Sequence, residues 1–348
     1  MKSKAVVPFL CSLLVLSSCQ SDLGVDPIEQ ELQKYKVLFA RNITELNAPG
    51  GTDRRIYVMN ADGQGLLDLS QHPDNGYPGI GKGWDSGPEF SPNGQSIAFQ
   101  TIREGNQDIY VMQSDGSNKT NITRSSELDL EFDWSPDGGT IVFTRLVQER
   151  YVLYTIAPHG AGLNRLTSLN DNCRYPAWSP DGSKIAFSRL IPGSSRREIV
   201  VMNSDGSNTR SISNSTQSAL FPQWSTNGMR VYYMVQLEGL RVSSLDGTFD
   251  AGVPGFYPQR IAWSPDGQQF VTSDSVSLAI ITADLSSVKR LNAGGFEPRW
   301  SPDGSWILFQ GRNMEGITEL RVVRPDGSDD HRLTSSPFGD LFASWRPL

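Results

Sequence analysis

One pentapeptide punctuates the chain and limits what it can fold into. Trp134-Ser-Pro-Asp-Gly138, Trp178-Ser-Pro-Asp-Gly182, Trp263-Ser-Pro-Asp-Gly267 and Trp300-Ser-Pro-Asp-Gly304 are identical. Phe90-Ser-Pro-Asn-Gly94 and Trp224-Ser-Thr-Asn-Gly228 are relaxed copies, and Trp345-Arg-Pro begins one more. The aromatic residues recur at intervals of about 37–46 residues, which is the period of a propeller blade. Ser-Pro-Asp-Gly has turn chemistry, because proline presets φ at the second position and glycine accepts the φ that ends the turn. The residues that follow, as in Ile185-Ala-Phe187, favour a pleated strand.

A second marker runs in phase with the first. About twenty residues after each turn comes a strand ending in a hairpin signal. Examples are Ile109-Tyr-Val-Met-Gln-Ser-Asp-Gly116, Ile199-Val-Val-Met-Asn-Ser-Asp-Gly206 and Leu320-Arg-Val-Val-Arg-Pro-Asp-Gly327. A short Leu-Thr or Ile-Thr strand follows, as at Ile122-Thr123, Leu166-Thr167 and Leu333-Thr334. Each repeat therefore has four strands, A (ending in the aromatic) to D. B strands starting at Val37, Ile97, Ile141, Ile185, Val231, Phe270 and Ile307 predict an all-β, seven-bladed propeller. The first blade lacks its own A strand, and Leu341-Phe-Ala-Ser-Trp345 supplies it, closing the ring and removing the sheet edges. Leu278-Ala-Ile-Ile-Thr-Ala283 lacks the Asp-Gly turn, so six blades is the alternative count.

The order Pro-x-Trp-Ser-Pro-Asp-Gly, Lys-Ile-Ala-Phe, Ile-x-Val-Met-Asn-x-Asp-Gly, Leu-Thr resembles the WD40-like propeller repeats of the TolB family, the periplasmic component of the Tol-Pal system. The resemblance runs from about residue 35 to residue 348 and rests on turn and packing residues, so it specifies fold more than function. It implies a non-catalytic envelope protein whose propeller docks a protein or peptide. The family places an α/β domain before a six-bladed propeller; here no room is left for that domain and seven blades are counted. The other class is an extracellular enzyme acting on a glycan, because lyases and peptidase-associated domains use such propellers too. A lyase would place several His or carboxylate ligands around the channel, and a peptidase would need a hydrolase domain after the last blade.

Residues 1–18 read as a signal peptide: Lys2 and Lys4, then an apolar run from Ala5 to Leu16 too short to span a bilayer as a mature helix. Leu16-Ser-Ser-Cys19 resembles a bacterial lipobox, which makes Cys19 the expected lipidation site and a lipid anchor the only membrane contact. Gln20, rather than Asp, after the cysteine resembles the outer-membrane sorting class. Residues 19–34 read as the lipidated cysteine and a tether, and 35–348 as the propeller domain. The expected location is the bacterial cell envelope, on the periplasmic or surface side, as a monomer. Of the three cysteines, loss of the signal and acylation of Cys19 leave Cys173 without a disulfide partner, and it reads as a passive loop residue. The three histidines, His72, His159 and His331, fall in separate repeats, so no metal site and no cofactor is expected. With 31 basic against 38 acidic residues and no basic cluster, the chain offers little to a phosphate backbone, and no nucleic-acid partner is expected.

Alternating strands sort the loops onto two faces. The A–B and C–D turns share one face and are nearly identical; the B–C and D–A loops share the other and vary in length. The variable face is the expected binding face. Its longest loops belong to the first blade and include Tyr77 and Trp84, read as aromatic anchors at loop tips. The A strands start on this face, and Asp85, Asp129, Glu131, Arg174, Arg260, Glu297 and Asp340 near their starts read as a mostly acidic ring at the channel mouth, suited to a basic peptide or a cation.

Lipidation generates the first prediction. Cys19→Ala should move the protein from the membrane fraction to the soluble fraction of fractionated cells. A wild-type protein already soluble, with an N-terminus other than Cys19, contradicts the lipobox.

Overall fold

The structure is a computed structural model, and it describes residues 26–43, 53–71, 84–253, 255–256, 260–274 and 277–347. These residues form seven four-stranded antiparallel sheets, each ordered A-B-C-D. The A strands are Asp340–Trp345 in blade 1, then Asp85–Phe90, Leu128–Trp134, Cys173–Trp178, Ala219–Trp224, Ala262–Trp263 and Phe296–Trp300 in blades 2 to 7. They contact one another around the axis and so line the channel. Blade 6 is complete despite its missing glycine, because Leu285 takes the left-handed turn position at φ 63°.

The ring closes as the sequence predicts. The C-terminal A strand pairs with the first B strand, Lys36–Asn42, with Val37 opposite Trp345 and Arg41 opposite Asp340. Seven apolar clusters lie at the seven seams between neighbouring blades. Successive residues of one strand serve opposite seams: Val37 and Phe39 pack towards blade 7, Leu38 towards blade 2. Both faces of each sheet are buried, which is why the B and C strands read as apolar runs rather than alternating ones.

The repeated turns are fixed by the same few bonds. In Ser179-Pro-Asp-Gly182, Gly182 N donates to Ser179 O (2.9 Å), the Ser179 hydroxyl donates to Asp181 (2.6 Å), and Lys184 N returns to Ser179 Oγ (2.9 Å). The C–D turn of a blade sits beside its A–B turn, Ser204 N donating to Ser183 O, so the two kinds of turn do share a face. The Leu-Thr signal marks a feature other than a strand. The D strands are only two residues long in five blades and end just before it, as at Asn164–Arg165 and His331–Arg332. The hydroxyl then replaces a backbone acceptor: the N–H groups of Ile56, Ile109, Leu153, Ile199 and Leu320 donate to Ser70, Thr123, Thr167, Ser213 and Thr334 at 2.7–3.1 Å.

Part of the stretch read as a tether is folded. Pro27–Leu32 forms a helix, α1, capped by Asp26, whose side chain accepts from Ile28 N. Leu32 is fully buried in the seam between blades 7 and 1. Glu31 accepts from Trp306 Nε1 (3.1 Å) and from Arg324 (2.6 and 3.1 Å), and the Arg324 guanidinium lies 3.9 Å from the Trp306 ring centroid. Lys34 and Tyr35 bond Asp303 in the A–B turn of blade 7, so α1 docks on the turn face. Residues 1–25, with Cys19, lie outside the described residues.

Gly206 shows what the C–D turns require. Its φ is +89°, and a Cβ there would meet the Leu166 carbonyl oxygen of the preceding blade at 3.0 Å. Gly193, at φ +74°, has nothing within 4 Å. Gly193→Ala should cost only the left-handed penalty of about 1 kcal/mol. Gly206→Ala should cost about 1–3 kcal/mol more, from the added backbone contact. Equal losses in urea denaturation would show that the seam tolerates the extra methyl.

Candidate functional site at the channel mouth

The A strands do not alternate evenly, and this decides what the channel contains. Counting back from the aromatic, the buried positions are the fifth and the second, as in Asp85 and Pro88, Cys173 and Pro176, Ala219 and Pro222, and Asp340 and Ala343. A three-residue step replaces the two-residue period because each of these strands carries one extra residue, where the A–B register shifts. The third residue before the aromatic is left-handed in five blades: Gly87 (54°), Tyr175 (57°), Phe221 (55°), Glu297 (53°) and Phe342 (55°). A Cβ on Gly87 would meet nothing within 4 Å, so this position looks into open space. The third and first residues before the aromatic, not the fifth, line the channel.

Three of the acids expected at the mouth are therefore elsewhere. Asp85, Asp129 and Asp340 are fully buried and held by two-pronged arginine contacts, from the B strand in blades 1 and 3 and from the loop just after it in blade 2. Arg103 reaches Asp85 at 2.6 and 3.3 Å, Arg145 reaches Asp129 at 2.6 and 2.9 Å, and Arg41 reaches Asp340 at 2.6 and 3.0 Å. Each guanidinium also lies over a B-strand ring, Phe39, Phe99 or Phe143, at 5.3–5.6 Å. These pairs hold A to B within a blade, and removing one member would strand a buried charge at a cost of about 3–5 kcal/mol. Cys173 takes the equivalent place in blade 4. It is a buried strand residue, not a loop residue, and burial pushes its thiol up to about 12.

The remaining expected residues do meet at the channel, but in pairs. Glu131 is bonded by Arg174, and Arg174 also lies over the Tyr151 and Tyr175 rings at 4.5 and 4.7 Å. Arg260 donates to Glu89 at 2.6 Å. Arg260 belongs to blade 6 and Glu89 to blade 2, which are not neighbours, so this bridge crosses the channel. Glu297 lies 3.7 Å from Arg299. The mouth is thus a neutralised network rather than an acidic ring. Glu89, Asp133, Arg299 and the rim aromatics Tyr175, Phe221 and Phe342 were missed in the sequence because charged residues near the strand starts were chosen, whereas the inserted residue turns positions nearer the aromatic into the opening.

Asp133 adjoins this network. Its carboxylate accepts from Trp178 N of the next blade at 2.7 Å. Burial, reinforced by the nearby Glu89 charge, raises its pKa to about 7. Burial also pulls Arg299 down to about 10, with the Arg260 charge adding to the effect. Trp84 is not at a loop tip: it bridges to Arg54 of the first C strand, and its ring faces the Arg54 guanidinium at 5.4 Å. Tyr77 and His72 lie outside the described residues. Among the described residues, no group of three or more His, Cys, Asp or Glu side chains is placed to hold a metal ion, and no helix is long and apolar enough to cross a membrane.

Residues 79–196 match the family model described as the TolB beta propeller domain. An uncharacterized protein of Agrobacterium fabrum is 34% identical over 87 residues, a match that spans 23% of this chain and 29% of that protein. Among solved structures, TolB from Acinetobacter baumannii superposes with a TM-score of 0.60 at 14% identity, covering 91% of this chain and 68% of its own. Oligogalacturonate lyase from Vibrio parahaemolyticus gives 0.59 at 14%, covering 78% and 83%. A Mycobacterium tuberculosis puromycin-hydrolyzing peptidase gives 0.65 at 14%, covering 88% of this chain and 53% of that one. At such identities the likeness is one of fold.

The Asp133 carboxyl makes stability pH-dependent. Its folded pKa lies above the ordinary 3.8, so its contribution is complete below about pH 4 and is lost as pH rises through about 7. Asp133→Asn keeps an acceptor for Trp178 N and removes the titration. The variant should therefore gain stability relative to wild type between about pH 5 and 8. A pH-independent difference in melting temperature would show that Asp133 does not titrate there.

Proposed function

The chain carries a TolB-like β-propeller, and from that premise we propose that it is a non-catalytic cell-envelope lipoprotein whose channel mouth binds an extended segment of a protein or peptide. The observation that carries this reading is the choice of side chain at the left-handed position of the A strands. Only glycine adopts that conformation without strain, and blade 2 uses it. Blades 1, 4 and 5 instead hold Phe342, Tyr175 and Phe221 there, at a cost of about 1–3 kcal/mol each. Phe342 remains 39% exposed, and Tyr175 and Phe221 lie against each other with centroids 4.4 Å apart. Strain of this kind, repeated around one opening, supports a surface kept for contact rather than for packing.

The bridge between Arg260 and Glu89 gives this cup a floor, so a segment entering from the mouth would stop there rather than thread the ring. The Glu131–Arg174 and Glu297–Arg299 pairs could open to partner groups of either sign. This replaces steering by an acidic ring with selection by exchange of ion pairs. The placement of α1 supports the anchored orientation. The chain enters the fold on the turn face, and the seven steps from Cys19 to Asp26 can span at most about 25 Å. An anchor at Cys19 therefore leaves the mouth directed away from the bilayer.

Photo-crosslinking residues placed at Phe221 and at Gln268 on the opposite turn face provide the test. In intact cells Phe221 should give a discrete crosslinked envelope protein and Gln268 should not. The same product from both positions, or from Gln268 alone, would assign binding to the wrong face.

A further inference from the structure

The arginines of the mouth differ in their partners. Arg41, Arg103, Arg174, Arg260 and Arg299 each have a carboxylate within ion-pair distance. Arg54, at the start of the first C strand, has none among the described residues. Its protein partners are neutral: Nε donates to Asn42 Oδ1 (3.0 Å) and Nη1 to Ser86 Oγ (3.1 Å). Among the described residues, Nη2 makes no bond. Arg197 also lacks an acid, but its guanidinium is bonded to the carbonyls of Asn172 and Ser188 and to the Asn172 side chain.

The surroundings of Arg54 are aromatic. Its Cζ lies 5.4 Å from the Trp84 ring centroid and 5.5 Å from that of Phe342, the strained rim residue of blade 1. Ring faces attract a cation but add no negative charge. Burial holds the Arg54 pKa below its ordinary value, with no acid among the described residues to offset the effect. A half-buried guanidinium with no counter-charge among the described residues is better satisfied when a ligand supplies one. The planar fork of N–H groups fits a carboxylate with two parallel bonds, and the two rings offer apolar contact to whatever bears it.

We propose that Arg54, framed by Trp84 and Phe342 and braced by Asn42 and Ser86, is a carboxylate-binding subsite of the channel mouth that receives an acidic group of the bound peptide. This rests on the peptide-binding reading above and gives that partner its chemistry: a carboxylate, from a chain terminus or an acidic side chain, beside an apolar residue. The Asn42 and Ser86 bonds fix the plane of the guanidinium, so its free edge is set before the ligand arrives.

The test uses the full chain, 15N-labelled at arginine, with N-acetylphenylalanine, N-acetylphenylalaninamide, N-acetylglutamic acid α-amide and inorganic phosphate as probes. The Arg54 Nε–H signal is identified by its loss in Arg54→Lys. N-acetylphenylalanine should shift that signal and change Trp84 fluorescence, and its amide should bind at least about ten-fold more weakly, since only the carboxylate differs. Arg54→Gln should lose at least about ten-fold in affinity for the acid and none for the amide. A stronger response to the glutamic acid derivative would assign the subsite to acidic side chains, and a stronger one to N-acetylphenylalanine would assign it to chain termini; either supports a carboxylate site. Equal binding of acid and amide, equal or tighter binding of phosphate, or unchanged affinity in Arg54→Gln would overturn it. Crosslinking at Phe221 is independent of these outcomes, so failure at Arg54 with a crosslink retained rejects the subsite alone. A carboxylate response without any crosslink would instead reject the peptide reading.

Discussion

Seven innermost strands converge on one axis, and those with a resolved register shift bend to do so by accommodating an extra residue. That bulge determines more of this molecule's chemistry than any single side chain. It changes the side-chain period from two to three at one point of the strand. Residues on the far side of it are thereby turned into the blade, and the third residue before the aromatic is put into the opening. Acids at the fifth position become internal ties, Asp129 to Arg145 and Asp340 to Arg41. The third position becomes a rim, in a backbone conformation that most residues avoid.

The fold was legible in the sequence for reasons that do not extend to the site. Ser-Pro-Asp-Gly repeats because the same bonds fix each copy of the turn, and the glycine of the C–D turn repeats in blades 1 to 4 because it suits both a left-handed φ and a close neighbouring carbonyl. Such constraints are local, so counting them counts blades, and even the seam at Trp345 follows from its place in the repeat. The channel is set by geometry between blades, which the repeat does not state. Taking the charges near the start of the strand put both Asp129 and Glu131 in the opening, whereas the structure keeps Glu131 there, adds Asp133 and buries Asp129. Cys173 and Ala219 occupy the same buried place as Asp129, so residue type at that position carried no signal. The stretch before Tyr35 misled for another reason. Its apolar residues are too few to suggest a helix, and α1 is held by contacts with Trp306 and Arg324, far away in sequence.

The charge balance of the mouth is also a property of pairs. Glu89, Glu131 and Glu297 are matched by Arg260, Arg174 and Arg299, so the mouth presents a surface of low net charge and high local polarity. Such a surface offers little long-range steering and much local selectivity, because each incoming group must replace an existing partner. The exception at Arg54 stands beside the seam of blades 1 and 2, where Trp84 and the rim aromatic of blade 1 both lie against its guanidinium.

The closing seam has a consequence for how the chain must be made. Arg41 and Asp340 are 299 residues apart, yet they bond across one sheet. A ribosome adding about 5–20 residues per second takes about 15–60 s to travel between them. A hairpin forms in microseconds. For that whole interval the first B strand has its C strand on one side and an unpaired edge on the other. An exposed edge is a template for pairing with another chain. The nascent protein therefore spends most of its synthesis as an open arc, and a factor that shields residues 36–42 during that time would do more for its yield than any strengthening of the finished ring.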